Sequence, residues 1–398
     1  MKIRALTRIV SGCTWKVQRR LLFNFAMGGA RAVRAFERRR KQGRPFFPAF
    51  TMISLTNRCN LQCRGCWVEQ TKPAQALSVE QLNGVVTTAR RYGSNFFGIL
   101  GGEPLLHDGL FEFMAAHPWA YFQLFSNGVG MTREIAEKLA AMGNVTPLIS
   151  IEGLENESRR RRGRDEVFAR ALAGVDEAVR AGLFVGVSAS ITRSNFAELV
   201  SDDYLDFLIE HGVHYIWYYI YRPAGRMPEP ENALSAEQIV ELRRFIVDRR
   251  QTAKILIIDA YWDHLGRALC PAATGLSHHI SPGGAIEFCP PVQFCSGRLD
   301  EHGGNLEALF QQPGLLPALR EYVSGRTRGC ILLKDPAGLA AFMREQGAED
   351  SSCRDALAEL AALPQLPGHD HAEPLLPEKS WAYRLAKKYY FFGFGAYG

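Results

Sequence analysis

From about residue 50 to residue 260, short runs of β-branched and aromatic residues alternate with stretches whose apolar positions recur every three or four residues. The runs at 51–56, 95–100, 121–126, 147–152, 184–191 and 214–221 predict strands. Between them, 78–92, 109–116, 132–142, 165–181, 196–211 and 235–250 predict helices, with Ser78, Thr132 and Ser235 as N-caps. Strand-helix alternation with right-handed crossovers implies a parallel sheet, hence an α/β fold: a partial, TIM-like (β/α)6 barrel. Functional loops gather at the C-terminal edge of such strands. The segments that follow these strands are the Cys59 to Cys66 cluster, Gly101-Gly102-Glu103-Pro104, Ser126-Asn127-Gly128, Glu152-Gly153 and Pro223-Ala224-Gly225.

The flanks follow other patterns. Ile3, Leu6, Val10, Cys13, Val17, Leu21 and Phe25 recur at helical steps, so 1–48 is expected as an amphipathic helical extension ahead of a core at 49–262. After 253–258 the periodicity breaks. A Gly283-Gly284 turn between Ile280 and Phe288 predicts a hairpin in a small cysteine-bearing module at 263–356, followed by a tail at 357–398 whose aromatic, glycine-rich end has no helical period.

Charge changes the picture at the N-terminus. The formal net charge is +6, yet the first 45 residues hold many Lys and Arg and one acid, Glu37. A basic amphipathic helix either lies on an anionic membrane surface as a peripheral contact or packs its apolar stripe on the barrel with its arginines in water. Arg19-Arg20 followed by 21–30 imitates a twin-arginine export signal, but the helical period accounts for the same residues. The chain has no uncharged apolar run long enough to span a bilayer. Nucleic-acid binding is not expected, since no aromatic interleaving accompanies the basic run. With 47% hydrophobic and 22% charged residues, the chain is neither disordered nor fibrous.

Nine cysteines, an odd number at uneven spacing, point to a reducing, cytoplasmic compartment where clustered thiols bind metal or do chemistry. Cys59, Cys63 and Cys66 form C-x3-C-x2-C directly after the first strand. Soft thiolates suit iron-sulfur clusters or zinc, but a structural zinc site needs four ligands, and the nearest further one is His107. Three ligands on four irons leave one iron open to chelate a substrate. This spacing after the first strand of a six-unit βα barrel resembles the radical S-adenosylmethionine (radical SAM) superfamily over roughly residues 50–260. The resemblance implies a [4Fe-4S] cluster whose open iron binds SAM. An electron from a donor such as flavodoxin or ferredoxin then splits SAM into methionine and a 5′-deoxyadenosyl radical, which abstracts hydrogen from a substrate. One departure is Gly65, where the family commonly has an aromatic residue; here Trp67 follows Cys66 instead.

Within the resemblance, Gly101, Gly102, Glu103 and Pro104 match the family's GGEP turn, whose backbone and acid meet the SAM ammonium. Ser126 and Asn127, then Ser150 and Glu152, match its short polar elements near the ribose. Ser188 on the fifth strand and Pro223 after the sixth are further candidates, the latter near adenine. The basic run of Arg159, Arg160, Arg161, Arg162 and Arg164 reads mainly as a solvated face. Cys270 and Cys289, as C-x13-G-x4-C with Gly284, resemble the opening half of the auxiliary-cluster module called SPASM or its shorter relative, twitch. That implies one auxiliary [4Fe-4S] cluster on Cys270, Cys289 and Cys330 with Cys295 or Cys353 as the fourth ligand; zinc or unligated thiols are the alternative. Auxiliary clusters accompany peptide or protein modification in the resembling groups, so a peptide or protein substrate is expected. A small molecule or lipid-linked substrate, or a non-enzymatic metal-binding regulatory role, are the competing functions.

Overall fold

The computed structural model describes residues 3–295, 297–302, 305–311 and 314–389. Six strands lie where the β-rich runs predict them: β1 Phe50–Ser54, β2 Phe96–Leu100, β3 Tyr121–Ser126, β4 Val145–Ser150, β5 Gly186–Ile191 and β6 Tyr215–Ile220. Each pairs in parallel with the next. Their side chains are buried on both faces nearly throughout, as expected for a parallel sheet covered by helices. Ser78 and Ser235 close capping boxes with Gln81 and Gln238, and Thr132 caps its helix at Ile135 N–H.

The sheet is longer than six strands. β7 Leu256–Ile258 extends it beyond β6, and β8 Ser277–Ile280 lies parallel to β1 on the other side, followed by β9 Ile286–Glu287. The hydrogen-bonded order is therefore β7-β6-β5-β4-β3-β2-β1-β8-β9, an α/β sheet in which the hairpin around Gly283-Gly284 adjoins the first core strand. That placement brings the C-terminal cysteines to the mouth of the core. The expected helix at 196–211 is two, Phe196–Leu199 and Asp202–Glu210, with Ser201 capping the second at Tyr204 N–H.

The N-terminal segment folds as helices Ile3–Gly12 and Trp15–Arg20, a π-helical turn Leu21–Met27, and helix Gly28–Lys41. Cys13 and Val17 are buried, so this part of the apolar stripe packs on the core, but Val10 is exposed and its neighbour Ile9, outside the expected stripe, is buried instead; the side chains of Ile3 and Leu6 lie outside those described. Thr14 N–H donates to Gly182 O, and Asn24 donates to Pro118 O and Ala120 O, so the segment runs beneath the N-terminal ends of the strands. Trp15, Leu22 and Phe23 face outward. Among the described residues, no helix is long and apolar enough to cross a membrane. The glycine-rich tail from residue 390 onward lies outside the described residues.

Helix Trp381–Tyr389 docks on the β7 end through ions buried to 0–1% side-chain exposure. Asp259 takes Arg250 at 2.7 Å, Lys387 at 3.0 Å and Arg243 at 3.7 Å, while Glu378 takes Arg250 at 2.7 Å. Three cations thus face two acids, and burial lowers the Lys387 ammonium to about 7 against the pull of Asp259. Removing an acid worsens the imbalance, whereas removing Lys387 corrects it. Asp259→Asn is expected to cost about 2 kcal/mol in chemical denaturation, and Lys387→Met less than about 1 kcal/mol. Equal losses for the two would show that packing, rather than charge balance, governs this cluster.

Candidate functional site

The loop after β1 is held by the turn after β2. Gly102 N–H donates to Thr56 O at 2.7 Å and Glu103 N–H to Arg58 O at 2.9 Å, one residue before Cys59. A β-carbon on Gly102 would lie 2.4 Å from Arg58 O, so this backbone approach needs glycine. Gly101 adopts φ +152° and a β-carbon there would meet Thr56 O. Glu103 is buried, at 1% exposure. Its carboxylate accepts from Ser126 Oγ at 2.9 Å, Leu105 N at 3.1 Å and Asn127 N at 2.8 Å, tying the β2 turn to the β3 turn. Pro104, itself buried, begins a 3-10 turn, Pro104–Leu106.

The basic run is a solvated face at Arg159 and Arg164 but not throughout. Its first four arginines end helix Glu155–Arg162, and the last residue of that helix turns inward: Arg162 is 9% exposed. Its guanidinium donates to Cys63 Sγ at 3.5 Å, Ser150 O at 3.2 Å and Glu152 Oε1 at 3.2 Å. Arg161 reaches Glu152 Oε2 at 3.5 Å and lies over the Tyr221 ring. Ser190 N–H also donates to Glu152, so both carboxylate oxygens are engaged by the chain itself. Ser150 and Ser188 are in register across β4 and β5, their hydroxyls 3.2 Å apart.

Gly65 now has a physical account. It adopts φ +65°, and a β-carbon would lie 2.5 Å from the Tyr221 hydroxyl, so the ring from the end of β6 fills the space that a side chain at 65 would need. Gly225, at φ +88°, packs on the Cys66 carbonyl, which fastens the loop after β6 to the cysteine loop. Pro223 is buried in that loop and is not part of the cavity wall.

Two cavities result. The outer, of about 320 Å³, is walled by Cys59, Cys63 and Cys66 with Gly101, Gly102, Ser126, Asn127, Ser150, Glu152 and Arg162. The inner, of about 330 Å³, is reached past Gly65, Trp67, Leu100, Phe125, Glu152 and Arg161, which line both. Its wall carries Ser188, Trp217, Tyr219, Arg222 and Tyr261, and the thiols of Cys270, Cys289 and Cys330. Cys295 and Cys353 do not join those three. Cys295 is buried on β10 Phe294–Cys295 beside Glu349 and Arg298, and Cys353 is exposed at φ +61°.

Four of the six thiols in the two sets, and Cys295 as well, receive backbone donors that Cys13 lacks. Leu61 N–H points at Cys59 Sγ, Val68 N–H at Cys66, Ala272 and Ala273 N–H at Cys270, and Val292 N–H at Cys289. Donors aimed at sulfur suit thiolates that carry negative charge in a metal site. Cys13 instead points its thiol at Leu183 O, as a neutral buried thiol does. Burial pushes Cys59 up to about 12 and Cys270 up to about 11, with the backbone donors working the other way. The donor sets therefore fit clusters that draw the protons off. Among the described residues, no three His, Cys, Asp or Glu side chains are gathered tightly enough to chelate one ion. The spacing of C-x3-C-x2-C identified the first thiol set; Arg161, Arg162 and Tyr221 carry no such mark in the sequence.

The Radical SAM superfamily profile matches residues 53–193. The sporulation killing factor maturation protein SkfB of Bacillus subtilis is 33% identical over 160 residues, 39% of either chain. The Fe-coproporphyrin III synthase of Methanosarcina barkeri is 27% identical over 53% of this chain and 55% of its own. The chain thus spans about half or less of these two relatives. The mycofactocin maturase MftC of Mycobacterium tuberculosis is 28% identical over 80% of this chain and 87% of its own. Among solved structures, Streptococcus suis SuiB bound to S-adenosylmethionine shares the fold with a TM-score of 0.62 at 16% identity, covering 75% of this chain and 72% of SuiB. Through the segment that begins inside β1 and ends past β5, this chain is similar to the radical SAM superfamily.

Proposed function

We propose that this chain is a radical SAM enzyme that modifies a peptide or protein by hydrogen abstraction, with Cys59, Cys63 and Cys66 holding the [4Fe-4S] cluster and Cys270, Cys289 and Cys330 an auxiliary one. When bound at the first set, the cluster supplies one electron to SAM, which releases methionine and a 5′-deoxyadenosyl radical. The observation that carries this is the adjacency of the two cavities: one wall of Gly65, Trp67, Leu100, Phe125, Glu152 and Arg161 separates a thiol set at the outer end from a thiol set at the inner end. The chain's own residues position and exclude. Glu103, buried behind the cavity wall and braced by three donors, holds the β2 and β3 turns in place beside the cysteine loop. Arg162 and Asn127 face the sulfurs of Cys63 and Cys59, and Trp67 and Phe125 give the passage its apolar wall.

A peptide or protein substrate is supported by relatives named a maturation protein and a maturase. The Fe-coproporphyrin III synthase supports the second reading, the same chemistry on a small molecule. Anaerobically loaded protein given dithionite and SAM is expected to yield 5′-deoxyadenosine. It should carry about eight irons and eight sulfides per chain, falling to about four of each in a Cys270→Ala, Cys289→Ala double variant. Repeated, fully loaded preparations that form no 5′-deoxyadenosine would overturn the proposal, and zinc in place of iron would favour a binding role.

A further inference from the structure

Arg222 lies two residues past the end of β6 and lines the inner cavity. Arg161 and Arg162 share Glu152, while Arg243, Arg250 and Lys387 share Asp259. Among the described residues, Arg222 has neither a hydrogen bond nor an ion pair; its guanidinium lies 6.0 Å from the centroid of the Tyr261 ring. The acid in the cavity wall, Glu152, is committed to two arginines and Ser190 N–H. A part-buried guanidinium that shares a cavity wall with Trp217, Tyr219, Tyr261 and Leu269 and has no carboxylate bonded to it favours the arrival of an anion.

Two anions are within its reach. One is the charge on Cys289 and Cys330, both close enough to act on Arg222. Cys289 already receives the Val292 N–H, which leaves Cys330 as the thiol that competes for the guanidinium. The other is a ligand group entering from the outer cavity, and the planar five-donor fork matches a carboxylate in two parallel bonds. We infer that Arg222 receives a carboxylate of the substrate in the inner cavity, between the two thiol sets. This deepens the proposed function and rests on it. A cavity of about 330 Å³ takes a side chain, a chain end or a small acid, not a folded domain. The carboxylate is therefore that of an acidic side chain, a peptide C-terminus or a small apolar acid.

The test compares acids with their amides on the anaerobically loaded full chain with SAM present, by isothermal titration. N-acetylphenylalanine against N-acetylphenylalaninamide represents a chain end. N-acetylaspartate amide against N-acetylasparagine amide represents a side chain, and phenylacetate against phenylacetamide a small acid. At least one acid should bind about tenfold or more tighter than its amide, and that pair identifies the source. Arg222→Gln should erase the preference at unchanged iron content, and Arg222→Lys, which keeps the charge but loses the fork, should restore part of it. Acids that bind no better than amides, absence of binding included, would overturn the inference. So would a preference that survives Arg222→Gln while the auxiliary-cluster electron paramagnetic resonance signal shifts, which would give Arg222 to the thiols. Failure of the underlying radical SAM reading shows separately, as missing cluster absorbance or missing 5′-deoxyadenosine in the same preparations.

Discussion

Gly102→Ala is expected to slow formation of 5′-deoxyadenosine at least about 100-fold while costing only about 1–3 kcal/mol of stability. The new methyl group would stand 2.4 Å from Arg58 O and 2.8 Å from Asn57 O, both backbone atoms, so no side chain can swing aside to admit it. Relief must come from moving the Asn57-Arg58 segment or the turn, and either movement breaks the bonds from Gly102 N–H to Thr56 O and Glu103 N–H to Arg58 O. Cys59 is the next residue along. A displacement of one ångström there changes what three thiols can hold together, whereas the sheet beneath keeps its pairing. Gly84→Ala is the control: it sits within helix Val79–Arg91 with nothing within 4 Å of the added carbon. Iron content and 5′-deoxyadenosine rate measure the effect. A Gly102→Ala enzyme within about threefold of the unaltered chain would show that the turn does not govern the cysteine loop.

The core was legible because its signals are local. Alternating periods place β1 to β6 within one or two residues, and Ser78, Thr132 and Ser235 declare their caps by composition alone. The hairpin at Gly283-Gly284 was legible for the same reason, but its pairing partner was not: β8 beside β1 joins residues more than 220 apart, and no local pattern encodes that contact. The site shows the same division. Cys59, Cys63 and Cys66 announce themselves by spacing. Cys330, far from any motif, was assigned only through resemblance, and the inner cavity places it with Cys270 and Cys289. Cys295 and Cys353 look no different in the sequence, yet sheet pairing and a left-handed loop residue set them elsewhere. Arg159 to Arg162 form a helix too polar to show a buried face by periodicity, because what buries Arg162 is a carboxylate and a thiol rather than apolar surface. Gly65 and Tyr221 form a pair that trades an aromatic ring between two distant positions, which inspection of either position alone does not reveal.

Glu152→Ala is expected to be the most destabilising single change at the site, by about 3–5 kcal/mol, because it leaves two buried guanidiniums without their carboxylate. Arg162 and Glu152 are each 9% exposed and Arg161 15%, so solvent does little to screen what remains. The resemblance to the family gives Glu152 a different task, holding ribose hydroxyls, and that task predicts a different result: weaker SAM binding with stability nearly unchanged. The geometry favours the brace, since Arg161, Arg162 and Ser190 N–H already engage both oxygens. A double-mutant cycle separates the two. Arg162→Met removes one of the stranded cations, so Glu152→Ala made in that background should cost less than in the unaltered chain, with a coupling of about 1–3 kcal/mol in denaturation of the metal-free protein. SAM affinity of the loaded variants is then the second axis. If Glu152 acts through the arginines, Glu152→Ala and Arg162→Met weaken SAM binding by similar factors and the double variant by little more. Coupling near zero, with SAM affinity lost only when Glu152 is changed, would return Glu152 to direct contact with the ribose and leave Arg162 to serve Cys63 alone.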